Sequence, residues 1–555
     1  MSKLKMQFTS SLEKCLPNEA LESKPALDHI TMLKNERYSF CVAYQEIDTT
    51  IWAKSVVTVK VTSTIDATIH TYQVDLVPVM MAAYHNKSDN NYISNEPGLF
   101  PDLLTPIDEQ APLYCVPNQL NALWITIDAV EPIQAGDYSI TVTFSEDGNE
   151  IICKTIPVHV IDAILPPQTF QYTQWFYADC LSSYYNVEPL SDEHFAIIER
   201  FMQAAVSYGI TQILTPVVTP PLDTAVGGER PTIQLVGITK ENDTFTFDFT
   251  LLDKWIDLCN RCRVQRFEIS HLFTQWGAEH APKIMATVGG EYKKIFGWET
   301  DAFSEEYRIF LRSFIPALLS YFKQKGIRKG QIVFHISDEP SLEHLANYKK
   351  AKEMIADLLE DYTIMDALSN YDFYEQGIVA HPIPANDHME AFLEHHVPDL
   401  WTYYCCAQCE DVSNRFITMP SARNRIIATQ FYKYNIKGFL HWGYNFYYNQ
   451  FSKKLIDPYR VTDGEYFAPS GDAFSVYPGK SGVPLLSIRM VVFHEALQDL
   501  RAMLLCEQLY SREFVVDLME KDLTTPITFK QYPYNPEYLI SFREKINAAI
   551  ERKLK

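Results

Sequence analysis

Eight short apolar runs, separated by amphipathic stretches, fill the chain from Gln168 onward, and this alternation limits the possible folds more than any other feature. The runs lie at 170–177, 211–218, 266–271, 331–337, 364–368, 377–380, 400–405 and 438–442. Helical spacing of apolar residues fills 192–208, 251–262, 305–325, 341–359, 389–395 and 422–434, with a last such stretch at 488–508. Strands that alternate with helices make parallel sheets, because parallel neighbours need a long crossover between them. Eight repeats is the count of a (β/α)8 barrel of the TIM type. A doubly wound sheet has the same alternation, but its Gly-rich strand–turn–helix phosphate motif is missing.

Before that point the texture differs. Apolar and polar residues alternate in short runs at 55–62, 68–74, 122–127 and 139–144, with turn signals at 86–91, 134–137 and 146–149. Period two with such spacing predicts an antiparallel N-terminal β-sandwich. The segment 161–167 (IDAILPP) reads as a linker, since its two prolines stop a strand and stiffen the exit. The expected organisation is multidomain α/β plus β: a sandwich over 1–165, then a catalytic barrel over 168–555 with C-terminal helices packed on it.

Composition narrows the partners. Apolar residues at 47% and charged residues at 21% supply a large core and exclude disorder as the main state. The net charge of −22 argues against nucleic acid and anionic membrane surfaces. No run approaches the ~18–20 apolar residues of a membrane span. The first forty residues contain no signal-peptide h-region, and the 11 cysteines do not form an even disulfide framework, so a cytoplasmic location is expected. Nothing in the sequence sets an oligomeric state.

In barrels of this kind chemistry sits where strands end and loops begin. Those ends carry Trp175, Phe176, Tyr177 and Asp179, then Asp223, then His271 and Trp276. The later ends carry Asp338 and Glu339, Asp366 and Asn370, Tyr403 and Tyr404, and finally Trp442, Tyr444 and Asn445. Carboxylates among Trp and Tyr suit a sugar, whose hydroxyls need acceptors and whose C–H faces stack on rings. Any one of these residues reads equally well as a core aromatic or a solvated loop acid.

Asp338-Glu339-Pro340 is the sharpest feature, though by count alone it is weak: about nine adjacent acidic pairs are expected at random in such a composition. Its placement carries the weight. His335, Ser337 and Glu339 share one strand parity and Asp338 the other, so both acids reach one site only if the chain kinks, and Pro340 cannot continue a ladder. Two neighbouring carboxylates resist double ionisation, which leaves one as an acid. The plain alternative is a pair of acids at a helix N-terminus. Cys405, Cys406 and Cys409 invite a metal reading, but no second ligand pair lies near in sequence, and small apolar packing fits them better.

Several segments in order resemble one family: 173–179 (TQWFYAD), 214–224 (LTPVVTPPLDT), 271–277 (HLFTQWG), 335–340 (HISDEP), 401–406 (WTYYCC), 438–445 (GFLHWGYN) and 471–479 (GDAFSVYPG). They are similar to the glycoside hydrolase family 123-like proteins, which carry the domain of unknown function 4091, and the likeness covers most of 168–505. The segment 97–106 (PGLFPDLLTP) fits the sandwich that precedes the barrel in that family. The resemblance implies retaining, substrate-assisted hydrolysis of β-linked 2-acetamido sugars, as in β-N-acetylgalactosaminidases. Asp338 would steady the substrate's acetamide, and Glu339 would act as acid and then base. Trp175, Asp179, His271, Trp276, Asp366, Tyr403, Trp442, Tyr444 and Asn445 would line the sugar site, with no metal or organic cofactor. Characterised members are often exported; an intracellular member would meet imported oligosaccharides. Two other readings stay open: a glycosidase of different specificity that pairs Glu339 with a second acid such as Asp366, and a carbohydrate-binding relative without activity.

Overall fold

The structure, a computed structural model, describes residues 4–47, 55–275 and 277–555. The chain falls into two compact units, one of Met1–Thr169, Cys409–Tyr434 and Leu485–Lys555, the other of Phe170–Gln408 and Asn435–Pro484.

The N-terminal part of the first unit is mostly β. One sheet carries Leu4–Ser10, Arg37–Glu46, Leu120–Asp128, Thr68–Val79 and Gly98–Pro106 side by side, each antiparallel to its neighbour. Another runs Ile30–Leu33, Asn149–Ile161, Gly136–Glu146, Ser55–Ser63 and Leu113–Cys115. Alternation along these strands sends Phe40, Val42 and Tyr44 of the first sheet and Ile140, Val142 and Phe144 of the second into one apolar cluster. Each such side chain removed from water contributes about 1.5–3 kcal/mol.

The helix Ile488–Leu509 in this unit is buried on nearly every face, polar residues included. Its charges are met one by one. Arg489 pairs with Asp102 at 2.9 Å, Arg425 bridges Glu495 at 2.9 Å and Asp499 at 2.7 Å, and Arg543 links Asp499 to Glu36, both at 2.7 Å. These pairs are why the C-terminal helices group with the N-terminal sheets.

The second unit is a nearly closed barrel of eight parallel strands: β1 (Gln171–Gln174), β2 (Gln212–Thr215), β3 (Arg266–Ile269), β4 (Ile332–Phe334), β5 (Thr363–Ala367), β6 (His381–Ile383), β7 (Trp401–Tyr403) and β8 (Gly438–His441). Their order is β6-β5-β4-β3-β2-β1-β8-β7. The free edges meet where Ala385, just past β6, bridges Tyr403. There the Tyr403 N–H donates to the Pro384 carbonyl at 3.1 Å, and the Tyr403 carbonyl accepts from Asn386 at 2.8 Å. Gly438 is required in β8, because a Cβ there would sit 2.2 Å from the Trp401 ring of the neighbouring strand.

β6 begins later than the apolar run at 377–380 suggests. Gly377 turns left-handed at φ +68°, and the N–H groups of Ile378 and Val379 return to the Phe373 carbonyl, so that run finishes a helical turn. Pairing starts at His381, opposite Met365. Ser191 and Ser304 cap the helices Asp192–Ser207 and Glu305–Gln324 through their side-chain oxygens. A small separate sheet, with Thr244–Asp248, Gly237–Glu241, Ile284–Val288 and Glu291–Phe296 in that order, is inserted after β2 and β3. Among the described residues no helix is long and apolar enough to cross a membrane.

Candidate active site

β4 stops at Phe334, and the chain then runs to Pro340 outside any ladder. Glu339 adopts φ +42°, a left-handed conformation that costs a side-chain-bearing residue of order 1–3 kcal/mol and recurs at functional sites. This is the kink that the parity of the strand demands. The Tyr403 hydroxyl, from the end of β7, donates to Glu339 Oε1 at 2.9 Å. Glu339 reaches solvent on one side while protein crowds the others; Asp338 is half-buried.

Burial raises the proton affinity of Asp338 well above the usual carboxyl range, and the adjacent Glu339 charge adds to it. Burial also raises Glu339, against the Tyr403 hydrogen bond and with help from the Asp472 charge. Among the described residues neither acid has a cationic partner in an ion pair. The two acids titrate as a pair that keeps a proton above the pH at which isolated carboxyls lose theirs.

Beneath them lies a buried charge cluster centred on His335. Its Nε2 meets Glu268 Oε1 at 2.7 Å and its Nδ1 meets Asp366 Oδ1 at 3.1 Å. Burial alone would lower the imidazole, but the two carboxylates push it up to about 10, so it is an imidazolium. Glu268 also accepts from Thr173 at 2.6 Å, from Trp175 Nε1 at 2.8 Å and from Gln212 at 3.0 Å. Asp366 accepts from the Ile336 N–H and the Tyr348 hydroxyl. His271 stacks on His335 at 4.5 Å, and burial with the neighbouring cation holds it well below its ordinary value, hence neutral. His271, His335 and Asp366 have the spacing of a metal site. Both nitrogens of His335 are already engaged by carboxylates, however, so the arrangement fits an imidazolium better than a ligand.

On the Asp338 side, among the described residues, buried polar atoms lack hydrogen-bond partners: Tyr177 Oη, Thr219 Oγ1, Asp223 Oδ2, Gln275 Nε2 and Arg230 Nη1. Arg230 is buried, 3.2 Å from Asp179 and stacked 5.2 Å from the Tyr177 ring centroid. Burial raises Asp223 to about 6, although Arg230 opposes this, and its φ is +45°. Buried polar groups are almost always satisfied, so a cluster of orphans marks a place for a polar ligand. On the Glu339 side a pocket of about 730 Å³ opens.

The other expected residues are placed as follows. Trp442, at the end of β8, is half-buried and donates through Nε1 to Asp472 at 2.7 Å. Glu339 bonds Tyr403 at the end of β7, which pairs in parallel with β8, so Trp442 and the dyad stand at the same end of the barrel. Tyr444 is buried, its hydroxyl donating to the Phe201 carbonyl at 2.8 Å and its ring stacked on Phe176. Asn445 spends its amide on the Tyr177 backbone, at 2.8 and 3.1 Å. Trp276 lies outside the described residues. Cys405 donates its thiol to Gln408 at 3.3 Å, and all 11 cysteines are free thiols. Glu268, Arg230, Tyr348 and Asp472 belong to the site although the sequence did not single them out. Glu268 could have been found as an acid inside an apolar strand run; Asp472, in a loop 31 residues beyond the end of β8 at His441, lies in the quoted segment 471–479 but at no strand end.

Comparison with known proteins bears on this geometry. The family model described as glycoside hydrolase 123, catalytic domain, matches residues 175–506. A solved family 123 glycoside hydrolase from Clostridium perfringens, studied for glycolipid glycan hydrolysis, superposes with a TM-score of 0.74 at 16% identity, over 99% of this chain and 98% of that one. An FMN-binding β-glucuronidase from Facaelibacterium prausnitzii L2-6 aligns at a TM-score of 0.34 and 9% identity, over 90% of this chain and 86% of that one. Among curated proteins the sequence finds no match.

Proposed function

The chain belongs to glycoside hydrolase family 123, a glycosidase whose substrate is a carbohydrate, and from that premise we propose that it cleaves β-linked 2-acetamido-2-deoxy sugars with retention, by substrate-assisted catalysis. The carrying observation is the adjacent pair Asp338 and Glu339, two acids of raised proton affinity set between a nook of unpartnered polar groups and an open pocket. The terminal sugar sits on the Asp338 side, where its hydroxyls satisfy Asp223, Arg230 and Tyr177. Asp338, ionised in the complex, accepts the acetamide N–H and supports the charge that develops as the acetamide oxygen attacks C1. An attacking group already held in place raises effective molarity to about 10⁵–10⁸ M. Glu339 holds the proton, gives it to the leaving oxygen, and then takes one from the incoming water.

In this reading Trp442 and Tyr403 face the sugar, while Trp175, His271 and Asp366 support the dyad from below. Asp366 is a poor partner for Glu339 in a two-carboxylate mechanism, because its oxygens are consumed by His335, Ile336 and Tyr348. Asp223, half-buried with a free oxygen, is the acid that such a mechanism would use. A panel of aryl β-glycosides with and without the 2-acetamido group separates the two. Hydrolysis confined to the 2-acetamido sugars, with competitive inhibition by a thiazoline that mimics the cyclic intermediate, is expected. Equal rates on 2-hydroxy sugars without thiazoline inhibition would overturn the reading.

A further inference from the structure

Two residues past Tyr403, which holds Glu339, a pair of adjacent cysteines is in contact with itself and with the pocket wall. The Cys405 and Cys406 thiols hydrogen-bond to one another. They open a turn that the Gln408 N–H closes on the Cys405 carbonyl at 3.3 Å. Gln408 Oε1 accepts from the Cys405 N–H at 2.9 Å and from the Cys405 thiol at 3.3 Å, and Gln408 lines the same pocket as Tyr403 and Glu339. Cys405 is buried, whereas Cys406 is half-buried and reaches solvent. The hydrogen bond to Cys406 and burial, helped by the Cys406, Glu339 and Asp472 charges, hold the Cys405 thiol well above its ordinary range, so it keeps its proton. Apolar packing explains neither the exposure of Cys406 nor the hydrogen bonds of Cys405.

We propose that Cys405 and Cys406 form an oxidative modification site, which hydrogen peroxide closes to a vicinal disulfide and a thiol reopens, and that closure loosens the end of β7 that carries Tyr403. One peroxide oxygen transfers to Cys406 Sγ, giving a sulfenic acid and water. Cys405 Sγ then attacks that sulfur: the S–S bond forms, the S–O bond breaks, and the Cys405 proton leaves with the hydroxyl as a second water. The two thiols give up two electrons and two protons, and one peroxide becomes two waters. Adjacent Cα atoms lie ~3.8 Å apart, below the roughly 4.4–6.8 Å that bridges prefer, so the ring is strained and readily reduced by thiol exchange. A disulfide sulfur carries no proton, so closure removes the Cys405 thiol's bond to Gln408 and rearranges the turn within two residues of Tyr403. None of this chemistry depends on the sugar; only the effect on rate rests on Glu339 as the acid.

The test treats the reduced full chain with hydrogen peroxide and maps its peptides by mass. The peptide that holds 405–406 is expected to lose two hydrogens and to regain them with dithiothreitol. It should bind phenylarsine oxide, a reagent for paired thiols, only when reduced. Amide exchange over 403–408 should quicken about threefold or more on oxidation. Cleavage of an aryl 2-acetamido β-glycoside should fall about tenfold, since a displaced acid forfeits part of the gain from proton transfer. Cys406→Ser and Cys406→Ala should keep the basal rate and lose these responses, whereas Cys153→Ser, at an exposed cysteine elsewhere, should keep them. A peptide whose mass peroxide leaves unchanged, or to which it only adds oxygen, overturns the site. A disulfide that forms while exchange and rate stay the same overturns the coupling to Tyr403. A wild type that cleaves no 2-acetamido glycoside overturns the proposed function, and mass and exchange then decide the thiol site without it.

Discussion

Buried acids are treated in opposite ways in the two units. In the first, Asp102, Glu36 and Asp499 each face an arginine, and one helix collects these pairs within a packed core. In the barrel, Glu268 and Asp366 share a single imidazolium, and among the described residues Asp338 and Glu339 have no ion-pair partner, Glu339 accepting instead from a tyrosine. Where charge is neutralised in full, removing one partner costs stability, and Arg425 with Arg543 outweighs burial to hold the proton affinity of Asp499 low. Where it is not, the proton itself becomes the available counter-charge, and that is a resource for acid catalysis. The contrast separates acids that hold the fold from acids that carry chemistry without reference to exposure.

The strongest way to break this comparison is at the dyad. Glu339→Gln should lower kcat/KM about 10²–10⁴-fold on substrates with poor leaving groups, and less on aryl glycosides whose phenolate leaves unaided. Asp338→Asn should impair every leaving group alike, since the acetamide must be oriented regardless. Steady-state rates across a leaving-group series measure both. Next in size is Arg489→Met, which strands Asp102. A loss of about 3–5 kcal/mol in urea unfolding is expected, with the specific activity of the folded fraction preserved; Asp102→Leu combined with Arg489→Leu should recover much of that loss.

His335→Gln sharpens the intermediate case. The imidazolium lowers the proton affinity of Asp338, so its removal raises that affinity. The acid limb of the kcat/KM profile should then move up by about 1 unit or more. A limb that stays in place would show that Asp338 does not sense the cluster below. The smallest effect is at Asp223. Its folded value is raised to about 6, so the stability it contributes is full below about pH 4 and lost as the pH passes 6. Asp223→Asn should therefore unfold like the wild type at pH 3 and be more stable by about 1–2 kcal/mol at pH 8, a figure reduced for its partial exposure.

How far the sequence reached follows the same division. Barrel strands announce themselves because a buried strand has to be a short apolar run, and the kink at Glu339 was implied by Pro340 and by parity. The run at 377–380 misplaced β6 because burial alone does not distinguish a strand from the end of a helical turn. Tyr444 and Asn445 stand at a strand end as read, but their polar atoms hold Phe201 and Tyr177, a use no residue type discloses. The role of His335 is legible only with Glu268 and Asp366, since an imidazole's charge state depends on partners that come from two other strands. Asp472 lies within the segment 471–479 that carries the family resemblance, but away from any strand end, so strand-end logic does not reach it.

Tyr403 has two duties that were described apart. Its backbone is the rivet of the barrel seam, bonded to Pro384 and Asn386, and its hydroxyl steadies the acid. Breathing of the wall at that seam therefore loosens Glu339 without any side chain in the pocket being changed. Amide exchange at Tyr403 and Asn386 becomes a readout of how firmly the acid is held, and a remote substitution that slackens this one junction would register as altered protonation of the leaving group.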